Sequence, residues 1–383
     1  MDPQDPLDIQ ELLDRIIGCL AYSTPSLLAC SMVARSWAHP AQANLFRAPN
    51  FTTRDLTINL ASSDVGLMKI YDILTYSPHL VPLVRDISLA AEWLQYETVE
   101  RICSIAFTQL HTLWLDLPLH APTRLLLQSF LGRIPLSRLS LMVWSGYQAD
   151  YAAFLRSCPP IVRHLELAVE SLPTAVHATQ RHGIDQRSVI TLKSLQWNWL
   201  GIDTLASAED LDSIIYPFDV SQIEALSVHG YKAEFLRWSA LPVSLIRILD
   251  LNIEHRDDWS TLNLSPFSNL RMLRICYMSP LSAPVVDTLK SLKHHQPLHT
   301  IVISMYYSQN HRLQYSNEYM ELDSVLSTLT LDTLSTFELE QRRGWNPRVS
   351  EFFPLSIARG MFTTLYRSEE LVIERWRELI DGL

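Results

Sequence analysis

The sequence predicts an α/β protein in which a small N-terminal helical module precedes a long array of repeats. Three features support this prediction: apolar residues at helical spacing near the N-terminus, a recurring apolar-x-x-apolar-x-apolar pattern farther along, and amphipathic stretches between the copies of that pattern. The 383 residues exceed a usual single-core domain, which repeat folds allow because each unit contacts only its neighbours. We expect a helical module at 1–48, a connecting segment at 49–82, repeats at 83–340 and a cap at 341–383.

Residues 9–46 have the pattern of three short helices. Apolar side chains recur at helical spacing along one broad face of the first helix. Thr24 and Pro25 fit the N-cap and the first position of a second helix at 26–37, and Pro40 can begin a third. A module of this size buries little core alone, so we expect it to pack on a neighbour or a partner.

Ten copies of the apolar-x-x-apolar-x-apolar pattern follow the module. The last two apolar positions of each copy are two residues apart, which is the period of a half-buried strand. The first four copies start 26 residues apart, a spacing that chance triplets in an α/β protein do not readily produce, while the later gaps range from 23 to 33. The tenth copy has Thr336 where an apolar residue is expected. The copies start at Val84, Leu110, Leu136, Val162, Leu192, Ile223, Ile246, Leu270, Leu298 and Leu331.

Amphipathic stretches long enough for a helix separate the early copies, at 92–107, 122–134 and 150–158. One strand plus one helix in about 20–29 residues resembles the leucine-rich-repeat unit, which implies a curved parallel sheet with helices on its outer side. The asparagine usual in that family is absent, so we expect no asparagine ladder and an uneven curvature. A further amphipathic helix at 368–383 is expected to cap the open end of the stack.

The residues that flank the core positions of each copy should share the concave face, because side chains alternate along a strand. This row mixes aromatic, amide and charged side chains of both signs, which suits a polypeptide better than a polyanion; ordinary solvated strand residues are the alternative. Trp197 occupies a core position, whereas Trp114 lies on the outward face as a candidate binding anchor. The target-binding candidates are Trp114, Asp116, Arg138, Met142, His164, Glu166, Gln196, Asn198, His229 and Arg274.

The helical module carries three recognisable stretches: E-L-L-D-R-I-I at 11–17, L-L-A-C-S-M-V-A-R-S-W at 27–37 and H-P-x-x-x-x-L-F at 39–46. Together they resemble an F-box of the kind abundant in fungal proteins, and they span nearly the whole motif. One departure is Ile9, which stands where the family usually has proline.

This resemblance implies a partner, since F-box helices dock on a Skp-family adaptor that joins them to a cullin–RING ubiquitin ligase. The same apolar residues must also supply the module's own core, so we expect them to be divided between core and interface. The adaptor-binding candidates are Leu12, Leu13, Ile16, Ile17, Leu20, Leu28, Val33, Trp37, Leu45 and Phe46.

Composition and spacing argue against several other functions. A formal charge of −10, from 31 basic and 41 acidic residues, would repel a nucleic-acid backbone. The ten glycines are never closer than 14 positions, which excludes the common nucleotide-binding and nucleophile-elbow motifs. The five cysteines lack the spacing of a zinc knuckle or a redox pair, and we expect no metal or other cofactor. The acidic first residues and the polar side chains within the uncharged stretches lead us to expect neither a secretory signal nor a bilayer span, and therefore a location in the cytoplasm or the nucleus.

The sequence therefore predicts a non-enzymatic substrate-recognition subunit of an SCF-type cullin–RING E3 ubiquitin ligase. Its F-box would bind the adaptor, and its repeats would hold a protein target. The alternative is a leucine-rich-repeat scaffold whose F-box-like segment does not engage a ligase. An enzyme of unrecognised type has no motif in its favour.

Overall fold

The computed structural model describes residues 10–20, 23–47, 63–90, 94–143, 148–169, 190–199, 218–229, 241–253, 261–277, 283–292, 297–306, 316–329, 334, 336–342, 355, 362–366 and 379–380. The chain divides into two compact units, Met1–Val162 and Arg163–Leu383. Of the expected cap helix at 368–383, only residues 379–380 lie within the described part, and both are helical.

The first unit begins with three helices, α1 (Gln10–Gly18), α2 (Thr24–Val33) and α3 (Arg35–Arg47). Ala34 has an extended backbone, with φ −154° and ψ 157°, and therefore ends α2. The expectation that one helix spans 26–37 and that Pro40 begins the next is wrong, because α3 begins five residues earlier and continues through Pro40. A proline inside a helix removes one backbone hydrogen bond, and the side chain of Asn44 donates to the Pro40 carbonyl at 2.9 Å.

A connecting segment joins these helices to the first strand. It contains α4 (Ser63–Tyr76) and a 3₁₀ helix (Pro78–Leu83), and it leads into β1 (Asp86–Ala90). The Arg85 N–H donates to the Arg47 carbonyl at 2.9 Å, which ties the end of α3 to the start of β1.

Strands and helices then alternate along the first unit. After β1 come α5 (Tyr96–Ser104), β2 (Thr112–Asp116), α6 (Ala121–Leu131), β3 (Arg138–Val143) and α7 (Gln148–Leu155). β2 pairs in parallel with both β1 and β3, and the register places the equivalent leucines of successive copies side by side. The three expected helices are confirmed. Each is shorter than expected, and α6 and α7 begin one and two residues earlier than expected.

The helices of this unit cover one face of the strands. Phe107 and Phe130 meet edge to face with ring centroids 6.2 Å apart, and the Tyr151 hydroxyl donates to the Leu117 carbonyl at 2.9 Å. All three side chains are almost fully buried. Each such aromatic removes a large apolar surface from water, so these contacts hold α6 and α7 against the segments that follow α5 and β2.

The second unit contains a larger parallel sheet whose strands follow one another in chain order. Its strands are β4 (His164–Val169), β6 (Ser194–Trp199), β8 (Ala225–His229), β9 (Ile248–Ile253), β10 (Met272–Tyr277), β11 (Thr300–Tyr306), β12 (Thr336–Arg342) and β13 (Phe362–Tyr366). A separate short pair is formed by β5 (Ile190–Thr191) and β7 (Phe218–Asp219). Two helices, α8 (Ala283–Lys290) and α9 (Ser316–Thr328), flank β11 in the chain. The α/β class is therefore confirmed.

Within each unit, the strand register matches the repeated pattern for the copies before the tenth. The second apolar residues of successive copies, such as Leu249, Leu273 and Ile301, are direct partners across neighbouring strands and are almost fully buried. The tenth copy is displaced, because Ile301 pairs with Phe337 and not with Leu334.

The displaced copy therefore consists of Leu334, Phe337 and Leu339, in place of Leu331, Leu334 and Thr336. This frame supplies three apolar residues at the required spacing, and Leu334 and Phe337 are both buried. β13 lies within the segment assigned to the cap, and its Phe362 pairs with Phe337.

Candidate interaction surfaces

The three N-terminal helices contain a small core of their own. α3 packs against both α1 and α2, and Leu13 and Ile17 on one face of α1 are almost fully buried. The core cluster consists of Ile17, Leu27, Cys30 and Ala41, with Leu20, Trp37 and Leu45 packed against it. The module therefore holds itself together with the inner faces of its helices.

The other faces of α1 and α2 leave large aliphatic side chains in solvent. Leu12 and Ile16 are one turn apart on α1, and Leu28 and Met32 are one turn apart on α2, so each pair shares a helix face. The exposed fractions are 39% for Leu12, 44% for Ile16, 51% for Leu28, 83% for Met32 and 66% for Val33. We call these five residues the aliphatic patch.

The ten adaptor-binding candidates fall into three groups. Leu12, Ile16, Leu28 and Val33 are exposed, while Leu13 and Ile17 belong to the core. Leu20, Trp37, Leu45 and Phe46 are half-buried. Met32, the most exposed of the aliphatic patch, was missed by the sequence reasoning, although its position four residues after Leu28 could have revealed it.

The ten target-binding candidates lie on strands of both units, on the face opposite the leucine core. In the first unit, Trp114, Asp116, Arg138 and Met142 are half-buried on β2 and β3. In the second unit, His164, Glu166, Gln196, Asn198 and His229 are half-buried, whereas Arg274 is buried. Trp197, expected in the core, is 2% exposed, as predicted.

The candidates on β4 and β6 form a polar network. The amides of Gln196 and Asn198 both donate to the same Glu166 oxygen, at 3.2 and 3.4 Å, and a ring nitrogen of His164 lies 3.0 Å from the Ser194 hydroxyl. The direct strand pairing of β4 with β6 brings these side chains together. This part of the face stays accessible to a partner, since all four candidates are half-buried.

A buried ion pair lies on the same face of β8, β9 and β10. Nη1 of Arg274 donates to both carboxylate oxygens of Asp250, at 3.0 Å each, and both residues are almost fully buried. The Ser227 hydroxyl donates to Asp250 at 3.1 Å. Burial alone would raise the pKa of Asp250, but the Arg274 charge and the contacts with His229 and Ser227 outweigh it and lower the pKa to about 2. Arg274 is therefore part of the structure and not an open binding residue, which corrects its assignment to the target-binding surface.

Ser227, His229 and Asp250 do not have the geometry of a catalytic triad. A triad needs the serine at one ring nitrogen of the histidine and the carboxylate at the other. Here Nε2 of His229 faces both Oγ of Ser227, at 2.9 Å, and Oδ2 of Asp250, at 3.4 Å. The three residues therefore cannot act as a proton relay in this arrangement.

Residues near the end of the chain cover the sheet face next to this ion pair. Ile380 is 5% exposed and forms one buried cluster with Ala225, Ile248, Met272 and Val302, and Leu379 packs against that cluster. Leu379 and Ile380 were expected to cap the open end of the stack. They instead lie across the sheet face of β8–β11.

The remaining candidate sites offer little chemistry. Within the described ranges, no cluster of three or more His, Cys, Asp or Glu side chains could hold a metal ion. No described helix is long and apolar enough to cross a membrane. An open cleft of 410 Å³ between α4 and α5 is lined by both charge signs, including Lys69, Asp72, Glu97 and Arg101.

Comparison with known proteins gave no relationship: no protein-family model matches this chain, and no curated protein matches it.

Proposed function

We propose that the protein is the substrate-recognition subunit of an SCF-type cullin–RING E3 ubiquitin ligase. In this proposal, the N-terminal helices are an F-box that binds a Skp-family adaptor, and the strand-and-helix repeats are a leucine-rich-repeat-like solenoid that holds a protein target. The observation that carries the proposal is the aliphatic patch, which remains in solvent on a module that already has its own core.

Exposed aliphatic residues on a small module favour a role in binding. Single exposed apolar residues are ordinary, but several on two helices of one small module favour a role in docking. Fully burying one such side chain contributes about 1.5–3 kcal/mol, so the half-exposed members of the patch would contribute roughly 1 kcal/mol each. Amphipathic helices bind partners through side chains spaced by three, four and seven residues, as Leu12 and Ile16 are. The F-box resemblance of the same stretches names the partner class.

The strands support the second half of the proposal. Parallel strands in chain order, with equivalent residues in register, present one continuous face per unit. In the second unit, that face carries the Glu166 network on β4 and β6, whose amides and carboxylate can recognise a polypeptide. A receptor of this kind needs no catalytic residues of its own, because it holds a target near the ligase.

The proposal is tested by co-purification of the full chain with a Skp-family adaptor. The double variant Leu28→Asp/Met32→Asp places two charges in the aliphatic patch without touching the core cluster. Losing about 2 kcal/mol of apolar contact corresponds to about 30-fold weaker binding. The matched control is Leu125→Asp on α6, which adds a charge at another exposed leucine and should leave binding unchanged.

Substitutions of Leu13 or Trp37 are less suitable for this test, because Leu13 is buried and Trp37 packs on the core. A wild-type chain that fails to bind any Skp-family adaptor would reject the ligase proposal and favour the repeat-scaffold alternative. Equal loss of binding in the Leu125→Asp control would show that the patch is not the docking surface.

A further inference from the structure

We infer that the sheet face of β8–β11 is a binding surface for a peptide with neighbouring aliphatic side chains, and that Leu379 and Ile380 occupy it as an internal ligand. A target must then displace these two residues. This inference rests on the proposed function, because it assigns regulation to the recognition face of the repeats.

The strand register defines an apolar shelf on this face. Ala225 of β8, Ile248 of β9 and Met272 of β10 are direct partners across the sheet, and Val302 of β11 pairs with Arg274 one step farther along. All four point away from the leucine core, because core residues such as Leu249 and Leu273 alternate with them. We call these four residues the shelf.

The shelf is closed, whereas parts of the same face of β4 and β6 are more open. Its residues are at most 7% exposed, whereas Glu166 of β4 and Gln196 of β6, which lie on that same face, are half-buried. Ile380 and Leu379 pack on the shelf from a part of the chain that is remote in sequence. A face that would be open to solvent in a bare sheet is thus covered by two aliphatic side chains of the same protein.

Polar groups beside the shelf give a reason why this internal ligand can be replaced. Asn252 and Ser304 are buried on the same face, each paired in register with Cys276 between them. Oδ1 of Asn252 and Oγ of Ser304 have no hydrogen-bond partner in the described part of the chain. A buried polar group without a partner is unfavourable. A target that also extends a hydrogen-bond donor to these oxygens would therefore gain contacts that the chain itself does not supply.

The contacts also define the chemistry of the target. The shelf accepts side chains of the size of leucine and isoleucine, and its neighbouring Arg274 is already neutralised by Asp250. The partner is accordingly a peptide segment with two adjacent aliphatic residues and a nearby side-chain donor.

Met272 provides a reporter for displacement. Its side chain belongs to the shelf, is 7% exposed and lies in the same buried cluster as Ile380. In the full-length chain, Leu379→Asp/Ile380→Asp should raise the rate of Met272 oxidation by hydrogen peroxide at least tenfold, measured by peptide mass spectrometry. The milder variant Ile380→Ala should raise it less. The control Leu355→Asp, at an exposed leucine of the same unit, should leave it unchanged.

A second measurement tests the surface as a binding site. A fluorescent peptide with the sequence of residues 368–383 should bind the Leu379→Asp/Ile380→Asp chain saturably, and the wild-type chain at least tenfold more weakly. The same peptide carrying both aspartates should bind neither chain. Adding Met272→Asp to the double variant should abolish binding of the unmodified peptide.

Three results would overturn the inference. The first is an unchanged rate of Met272 oxidation in both variants, and the second is an absence of saturable peptide binding. The third is loss of a cooperative thermal transition in both variants, because Leu379 and Ile380 would then be part of the fold and not a replaceable ligand. Neither measurement contains the adaptor, so a chain that binds the adaptor but fails here rejects only this inference.

Discussion

The buried pair of Arg274 and Asp250 should contribute far more to stability than a similar pair nearby that is open to solvent. Nη1 of Arg274 donates to Asp250 at 3.0 Å, and the two side chains are 6% and 4% exposed. Nη1 of Arg247 donates to Glu224 at 2.9 Å, but those side chains are 32% and 20% exposed. The two pairs have similar donor–acceptor distances and differ most in burial. Glu224 also keeps Lys193 as a second cation partner, which further lowers the expected cost of losing Arg247.

Arg274→Met leaves the Asp250 carboxylate buried with only the contacts of Ser227 and His229. Removing one member of a buried pair costs about 3–5 kcal/mol. For a unit of this size, each kcal/mol lowers the melting temperature by about 2–4 °C, which gives a fall of about 6–20 °C. Arg247→Met removes a partly solvated contact, and it should cost at most about 1 kcal/mol, or at most about 4 °C.

Circular dichroism during heating, with both variants in one buffer at pH 7, measures the difference. In Arg274→Met, burial becomes the main influence on the pKa of Asp250 and raises that pKa. The melting temperature of this variant should therefore approach that of the wild type as the pH falls from 7 towards 5, because protonation removes the unpaired buried charge. Equal destabilisation by the two substitutions would refute the reasoning from burial. A deficit that grows at lower pH would refute the assignment of the cost to an unpaired carboxylate.

Three further predictions concern other groups. The pKa of Asp250 is about 2 against an ordinary 3.8, a difference worth about 2.5 kcal/mol. The difference in unfolding free energy between wild type and Asp250→Asn should therefore narrow as the pH falls from about 4 to about 2. Urea unfolding at several pH values measures this difference. Burial raises the pKa of the Cys103 thiol to about 12, so a chromogenic thiol reagent at pH 8 should label the exposed Cys19 first and label Cys103 only on unfolding. Leu13→Ala should destabilise the N-terminal helices by about 2–5 kcal/mol, and the adjacent but exposed Leu12→Ala by about 0.5 kcal/mol or less; equal effects in hydrogen exchange of α1–α3 would contradict the assigned core.

The sequence predicts the strands of this fold well because one local pattern specifies them. The apolar pair of each copy, such as Leu113 and Leu115, indicates which residues face the core. The repeated spacing then predicts which residues of neighbouring strands are paired. The tenth copy fails because the gap before it lengthens, which lets Leu334 be read as the second position when it is the first. Phe337 in the true frame is buried, so the periodicity was present and only its starting point was misplaced.

The candidate surfaces depend on contacts that no local pattern encodes. Helical spacing shows that Leu12 and Leu13 belong to an apolar helix, but only the packing of α3 determines that Leu13 is buried and Leu12 is open. Likewise, alternation along β10 places Arg274 opposite the core, yet its burial depends on contacts made by distant parts of the chain. Buried and exposed residues can therefore occupy equivalent positions of the same sequence pattern, and only long-range contacts decide which of them are buried.

The two proposed surfaces differ in whether they are ready to bind. The aliphatic patch is in solvent, so adaptor binding requires no rearrangement, whereas the shelf is occupied by Leu379 and Ile380. An internal ligand lowers the apparent affinity for a target by the fraction of chains in which the surface is open. Opening the shelf with Leu379→Asp/Ile380→Asp should therefore strengthen target binding while leaving the Kd for the adaptor unchanged. Titration of the adaptor against both chains by calorimetry measures this, and a changed Kd would reveal a coupling free energy between the two units.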